Sequence, residues 1–205
     1  MSAKKKMIAD LLFGVQIAGA FVLCGSQFFR MLRTVEGVSL SMFFIIEAYL
    51  CLQLLLGIAA HRAQPSRVTA QTLAGYFTWI VLLLTNVFAV FWNGSYRWSA
   101  NDTWTTALTA GGSALVLGYS RLNGLALQDP AIKGLLSSAC RVLPQLFLAA
   151  KVAQEGGAGL PGLAVVVGNL TILVRIAQVS LAIREAGWER NRRWLLISES
   201  ANEAS

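Results

Sequence analysis

The chain has 205 residues, 56% of them hydrophobic and 13% charged, with a mean hydropathy of +0.59 and a formal net charge of +7. A soluble domain carries about 25% charged residues, so this composition excludes an ordinary soluble module and points to an all-α protein in a bilayer. Its basic residues sit in tails and between apolar runs, where membrane insertion requires them, which argues against nucleic acid as a partner.

A hydrocarbon core of about 30 Å needs about 20 helical residues, and backbone amides in lipid must be bonded within the segment, so each apolar run is read as a helix. The clear runs are 8–29, 40–60, 73–92 and 160–183. Two weaker ones are 104–119, which is short, and 132–151, which carries Arg141. Together they predict about six transmembrane helices. The basic N-terminal segment precedes a long apolar run without a small-residue cleavage site, so the first helix is expected to be retained. Beyond Arg184 residues 185–193 are charged, 194–197 are apolar and the rest is polar; this tail cannot span.

Positive residues favour the cytoplasmic side. With the N-terminus inside, Lys4, Lys5, Lys6, Arg62, Arg67, Arg121, Lys133, Arg184, Arg190, Arg192 and Arg193 lie inside, against Arg30, Arg33, Arg97 and Lys151 outside. Both termini are therefore expected to be cytoplasmic in a multi-pass protein of the cell or inner membrane. Asn93 and Asn101 each open a glycosylation triplet in the outer loop, a pattern common by chance.

The chemistry of soluble enzymes is missing from this sequence. Cys24, Cys51 and Cys140 fall within apolar runs without ligand spacing, and one His cannot build a zinc site. No nucleophile-and-base pair or phosphate loop is visible, so neither an enzyme nor a cofactor or metal site is expected. The polar residues inside the runs carry the functional reading. Glu47 is an ionisable residue at depth, costing about 2.5–3.5 kcal/mol on insertion scales. It can pair with Arg141 or Arg175, or exchange a proton, while either Arg can hold an anion. Asn86 and Asn169 offer donors and an acceptor to a hydroxyl or a headgroup, or bond between helices.

The chain also repeats itself. Gln27 is followed by Arg30 and Arg33, then Glu36 and Gly37, then an apolar run; Pro144 and Gln145 are followed by Lys151, then Glu155 and Gly156, then another. Pro144 removes a donor from its helix and Gln145 can satisfy the freed carbonyl, which predicts a hinge.

Gln27, Arg30, Arg33, Thr34, Glu36, Gly37 and Ser39 resemble the signature of the PQ-loop and SWEET transporter families, and Pro144 with Gln145 matches its Pro-Gln pair. The resemblance covers about residues 22–60 and 138–183. It implies two three-helix bundles joined by a linker helix, with a substrate held between them near the midplane. The corresponding segments are 1–92 for the first bundle, 93–131 for a loop and linker helix, 132–184 for a second, incomplete bundle, and 185–205 for a cytoplasmic tail. The family places an Asn in the third helix of each bundle; Asn86 matches, whereas Asn169 stands one helix early. The chain departs from the pattern at Ser26, which replaces the first Pro, in its missing final helix, and in an orientation opposite to the family's.

The function so implied is that of a membrane carrier moving a small polar solute, a sugar or an amino or organic acid, by alternating access. Asn86, Glu47, Gln145, Arg175 and Asn169 would bind the solute, with Pro144 and Gln27 as hinges. The alternative is a non-transporting scaffold or partner subunit, and a homo-oligomer is the route by which an incomplete second bundle would be completed.

Overall fold

The computed structural model describes residues 3–158 and, beyond them, positions 162, 166–167, 169–170, 172–173, 176, 180 and 197. Within the continuous stretch the chain forms α1 (Ala3–Met31), α2 (Leu40–Ala63), α3 (Arg67–Asn93), α4 (Ala100–Leu122), α5 (Pro130–Ser137), a π-helical turn (Ser138–Val142) and α6 (Leu143–Glu155). There is no strand among the described residues.

Local chemistry fixes the helix starts. Ser39 caps α2 by accepting from the Met42 amide, and Ser66 with Thr69 and Ser99 with Asp102 form reciprocal capping boxes on α3 and α4. Each box satisfies two of the amides that a helix start leaves unpaired. Asp129 caps α5, whose first residue is Pro130. Gly94 ends α3 with φ of 70°, a left-handed conformation that glycine adopts without penalty.

Four of these stretches are long and apolar enough to cross a membrane: Asp10–Met31, Leu40–Ala63, Thr69–Asn93 and Ala131–Gln154. Between 17% and 28% of the residues in their apolar windows are buried in the protein. Their hydrophobic surface therefore points outward, as a lipid-facing surface does and a soluble core does not. The inside is correspondingly polar: Gln27, Ser41, Gln53, Asn86, Asp102, Thr105, Thr109 and Lys151 are all buried, whereas Phe21, Leu55, Phe77, Leu84, Phe88 and Leu115 are exposed. Of the expected six or so spans, four are found among the described residues. Run 104–119 lies within α4, which is less apolar because Asp102, Thr105, Thr109 and Ser120 line its buried face. Run 160–183 and the tail 185–205 fall largely outside the described residues.

Helix α3 packs against both α1 and α2, so these three form one bundle with α3 in the middle. Its apolar seam is built from Met31, Val38, Phe43, Leu83, Val87 and Val90. Helix α4 lies against α2 and α6, and α6 also reaches α2. The chain thus runs up α1, down α2, up α3, down α4 and up through α5 and α6. One end gathers loops 32–39 and 94–99 and the exit from α6. The opposite end is tied by Arg67 to Asp10 at 2.8 Å, Gln71 to Asp10 at 2.8 Å and His61 to Thr69 at 2.6 Å.

Candidate functional site

The end that gathers loops 32–39 and 94–99 holds a saturated buried carboxylate. Asp102 is wholly buried and Lys151 is 2% exposed, with their charged atoms 2.9 Å apart. Asp102 Oδ2 also accepts from Tyr96 Oη at 2.8 Å, from Ser99 Oγ at 2.8 Å and from the Ser99 amide at 3.0 Å. Its Oδ1 accepts from Ser39 Oγ at 2.9 Å and Ser41 Oγ at 3.1 Å. Tyr96 Oη in turn accepts from the Leu40 amide at 2.9 Å, and Lys151 Nζ lies 5.1 Å from the centre of the Tyr96 ring, a cation–π contact. One carboxylate thereby joins the head of α2, the α3–α4 loop, the head of α4 and the end of α6.

Burial on its own pushes the Asp102 carboxyl up. The hydrogen bonds from Lys151, Ser99 and Tyr96 outweigh it and hold the group well below the usual carboxylate range. The pair is thus charged and satisfied. Removing one partner of such a pair costs about 3–5 kcal/mol because the other is left buried and alone.

Around this plug the two sequence repeats meet. Gly37 and Gly156 both have positive φ, 71° and 90°. A Cβ on Gly37 would stand 2.2 Å from the Gly156 carbonyl oxygen, and one on Gly156 would stand 2.5 Å from Glu36 Oε1. Only glycine allows this approach at either position. Arg30 Nε donates to the Ala158 carbonyl across the same junction. Above lies an open recess of about 450 Å³ lined by Thr34, Val35, Glu36, Ser95, Tyr96, Arg97, Trp98, Ser99 and Lys151.

Below the plug the polar atoms have the opposite character. Glu47 Oε2, Asn86 Oδ1, Thr109 Oγ1 and Gln53 Nε2 are buried and have no hydrogen-bond partner. Glu47 lies eight residues beyond Ser39 on α2, about 12 Å along the axis. Asn86 lies seven residues before Asn93 on α3 and Thr109 seven beyond Asp102 on α4, about 10 Å along each. Three helices therefore carry an unmatched polar atom at one depth. Asn86 is wholly buried, and its Nδ2 donates to Gln27 Oε1 at 3.3 Å, so two residues singled out from the sequence meet at the α1–α3 contact.

Pro144 and Gln145 come within about 9–11 Å of Lys151 along α6, at that same depth. The helix does not end at Pro144. It continues to Glu155, and the turn before the proline widens: the Leu143 amide bonds to the Ser138 carbonyl, five residues back. A π-turn gives the proline ring room where an α-turn would press it on the preceding carbonyl. Pro144 is buried and Gln145 half-buried. The expected pairing of Glu47 with Arg141 is not made. Asn169 is exposed at a helical position, and Arg175 lies outside the described residues.

Asp102 and Lys151 were not legible as a site in the sequence, where both read as residues of an outer loop. The available signal was the Ser99-to-Asp102 spacing of a capping box, which draws the carboxylate into the head of a helix. The two glycosylation triplets are structural. Asn93 Nδ2 donates to the Met31 and Leu32 carbonyls at 3.0 and 3.2 Å, and Asn101 Nδ2 to the Phe147 carbonyl at 2.9 Å. Compared with protein-family models, curated proteins and solved structures, the chain has no match.

Proposed function

We propose that the chain is a membrane carrier for a small polar solute, closed at the Asp102–Lys151 end. The observation that carries this reading is the set of unpartnered polar atoms on Glu47, Asn86 and Thr109 at one depth below a saturated plug. A buried polar group without a partner costs about 1–3 kcal/mol. A solute, or the water it displaces, supplies that partner in a carrier. The plug then acts as a gate: breaking the Asp102–Lys151 contact frees α6 from the heads of α2 and α4 and opens the way from the recess. The π-turn before Pro144, at the depth of the unmatched atoms, is where α6 bends. The Glu-Gly repeat, joined at Gly37 and Gly156, supports a two-bundle layout of the PQ-loop type.

The recess end faces outward and both termini are cytoplasmic in this reading. Lys151 is buried in an ion pair, which leaves Arg30, Arg33 and Arg97 as the positive charges of the outer count without an ion-pair partner among the described residues. A reporter fused after Ser205 checks this; an external signal there reverses the orientation.

The carrier reading is tested by accessibility. Cys24, Cys51 and Cys140 are replaced, a single Cys is placed at Thr109 or Asn86, and sealed vesicles are treated with a membrane-impermeant maleimide from each side. A carrier gives labelling from the cytoplasmic side, with labelling from the recess side appearing once the gate is broken. No labelling from either side, with the gate intact or broken, identifies the chain as a non-transporting scaffold.

A further inference from the structure

The recess above the plug carries two opposite charges that no described residue satisfies. Glu36 arrives on the α1–α2 loop and Arg97 on the α3–α4 loop; both line the recess and both are exposed. Among the described residues neither side chain forms an ion pair or a hydrogen bond. Both are held by built loops rather than free ones. Glu36 Oε1 lies in the space a side chain at Gly156 would fill, beside the close approach of Gly37 to Gly156. Arg97 follows Tyr96, which is pinned by its bonds to Asp102 and the Leu40 amide. It precedes Trp98, whose indole N–H donates to Thr103 Oγ1 at 2.9 Å. Val35 and the rings of Tyr96 and Trp98 line the same recess and supply its apolar surface. The volume, about 450 Å³, is that of a small-molecule pocket, which runs from about 300 to 1,000 Å³.

A guanidinium recognises a carboxylate through two parallel hydrogen bonds, and a carboxylate accepts from an ammonium. A ligand with one positive and one negative end satisfies both walls at once, whereas a neutral sugar leaves both charges unanswered. We propose that the recess binds a free amino acid with an apolar side chain: Arg97 on its carboxylate, Glu36 on its ammonium, and the side chain against Val35 and Trp98. This names the solute class for the carrier reading and the place where it is first captured. It rests on that reading only for the solute's later passage, because capture is measured without transport.

The experiment is calorimetric titration of the purified full chain in detergent with L-leucine and L-phenylalanine. Leucinamide, which lacks the carboxylate, and 4-methylpentanoate, which lacks the ammonium, serve as comparators. The zwitterions are expected to bind at least tenfold more tightly than either comparator. Glu36→Gln is expected to erase the preference over 4-methylpentanoate, and Arg97→Gln the preference over leucinamide. Both positions are exposed, so melting temperatures are expected to match the parent and certify the fold. The proposal is overturned if neither amino acid binds, if the comparators bind as tightly, or if both variants keep the full preference. Failure here leaves the maleimide result untouched, and failure there leaves this one standing as a binding site alone.

Discussion

The two polar layers of this molecule differ in how their buried atoms are partnered. At the recess end a carboxylate collects five donors and an ammonium, so that carboxylate is fully answered. About 10–12 Å further in, Glu47, Asn86 and Thr109 each keep a buried atom with no partner. A satisfied buried network rigidifies, and an unsatisfied one is costly unless something else completes it. In the carrier reading proposed above, the contrast separates a part of the protein that holds itself shut from a part that a ligand completes.

Removing Lys151 attacks the satisfied layer hardest. Lys151→Met leaves Asp102 buried without its counter-charge and is expected to destabilise the fold by about 3–5 kcal/mol. The double variant Asp102→Asn with Lys151→Met is expected to recover part of that loss. Thermal melting in detergent measures both, and an unchanged melting temperature in the single variant would show the pair to be solvated.

The next contrast sets matched positions against each other. Ser39→Ala removes a donor to Asp102 and the cap of α2, and is expected to cost about 1–2 kcal/mol. Thr109→Val replaces an unpartnered buried hydroxyl by a methyl group of the same shape and is expected to be neutral, or stabilising by about 1 kcal/mol. Equal losses in the two variants would erase the distinction between the layers.

Pro144→Ala tests the hinge. The variant is expected to melt within about 1 kcal/mol of the parent, since the helix already runs through this position. Maleimide labelling at Thr109 in a gate-broken background is expected to slow several-fold. Labelling at the parent rate would make the π-turn a passive accommodation of the proline ring.

The smallest effect concerns acid. Asp102 is held below the unfolded carboxylate value of about 3.9. Its contribution is therefore fully present above that value and is lost only as pH falls through the lower, folded value. Melting temperature is expected to show no Asp102-dependent change between pH 7 and 5, read as parent minus Asp102→Asn. A difference that shrinks in that interval would mean the carboxyl is weakly held.

The sequence disclosed this contrast unevenly. Three of the four long apolar helices were clear in the sequence because lipid demands length and hydrophobicity, both readable along one dimension; the fourth, Ala131–Gln154, read only as a weaker run because it carries Arg141. The start of α3 at Arg67 was not, since residues 67–72 are too polar to extend an apolar run and enter the helix through the Ser66–Thr69 box. The Glu-Gly repeat was legible as a pattern, and Gly37 and Gly156 meet in space, each with a positive φ. The Asp102–Lys151 pair was invisible because its members stand 49 residues apart and only the packing of α4 on α6 brings them together. Glu47 illustrates the remaining limit. Its depth was readable, but the face it presents was not, so pairing with Arg141 or Arg175 and proton exchange all stayed open; the Arg141 pair is not made, and Glu47 Oε2 stands unpartnered.

The most direct test of the gate is a distance measured across it. Spin labels on Arg33→Cys and Ala158→Cys, in the background lacking native cysteines, report the separation of the two repeats at the recess end by pulsed electron double resonance in lipid nanodiscs. The account predicts a short distance in the parent and a longer one, newly populated, in Lys151→Met. A single short distance unchanged by Lys151→Met, in protein that remains folded, would contradict the gate.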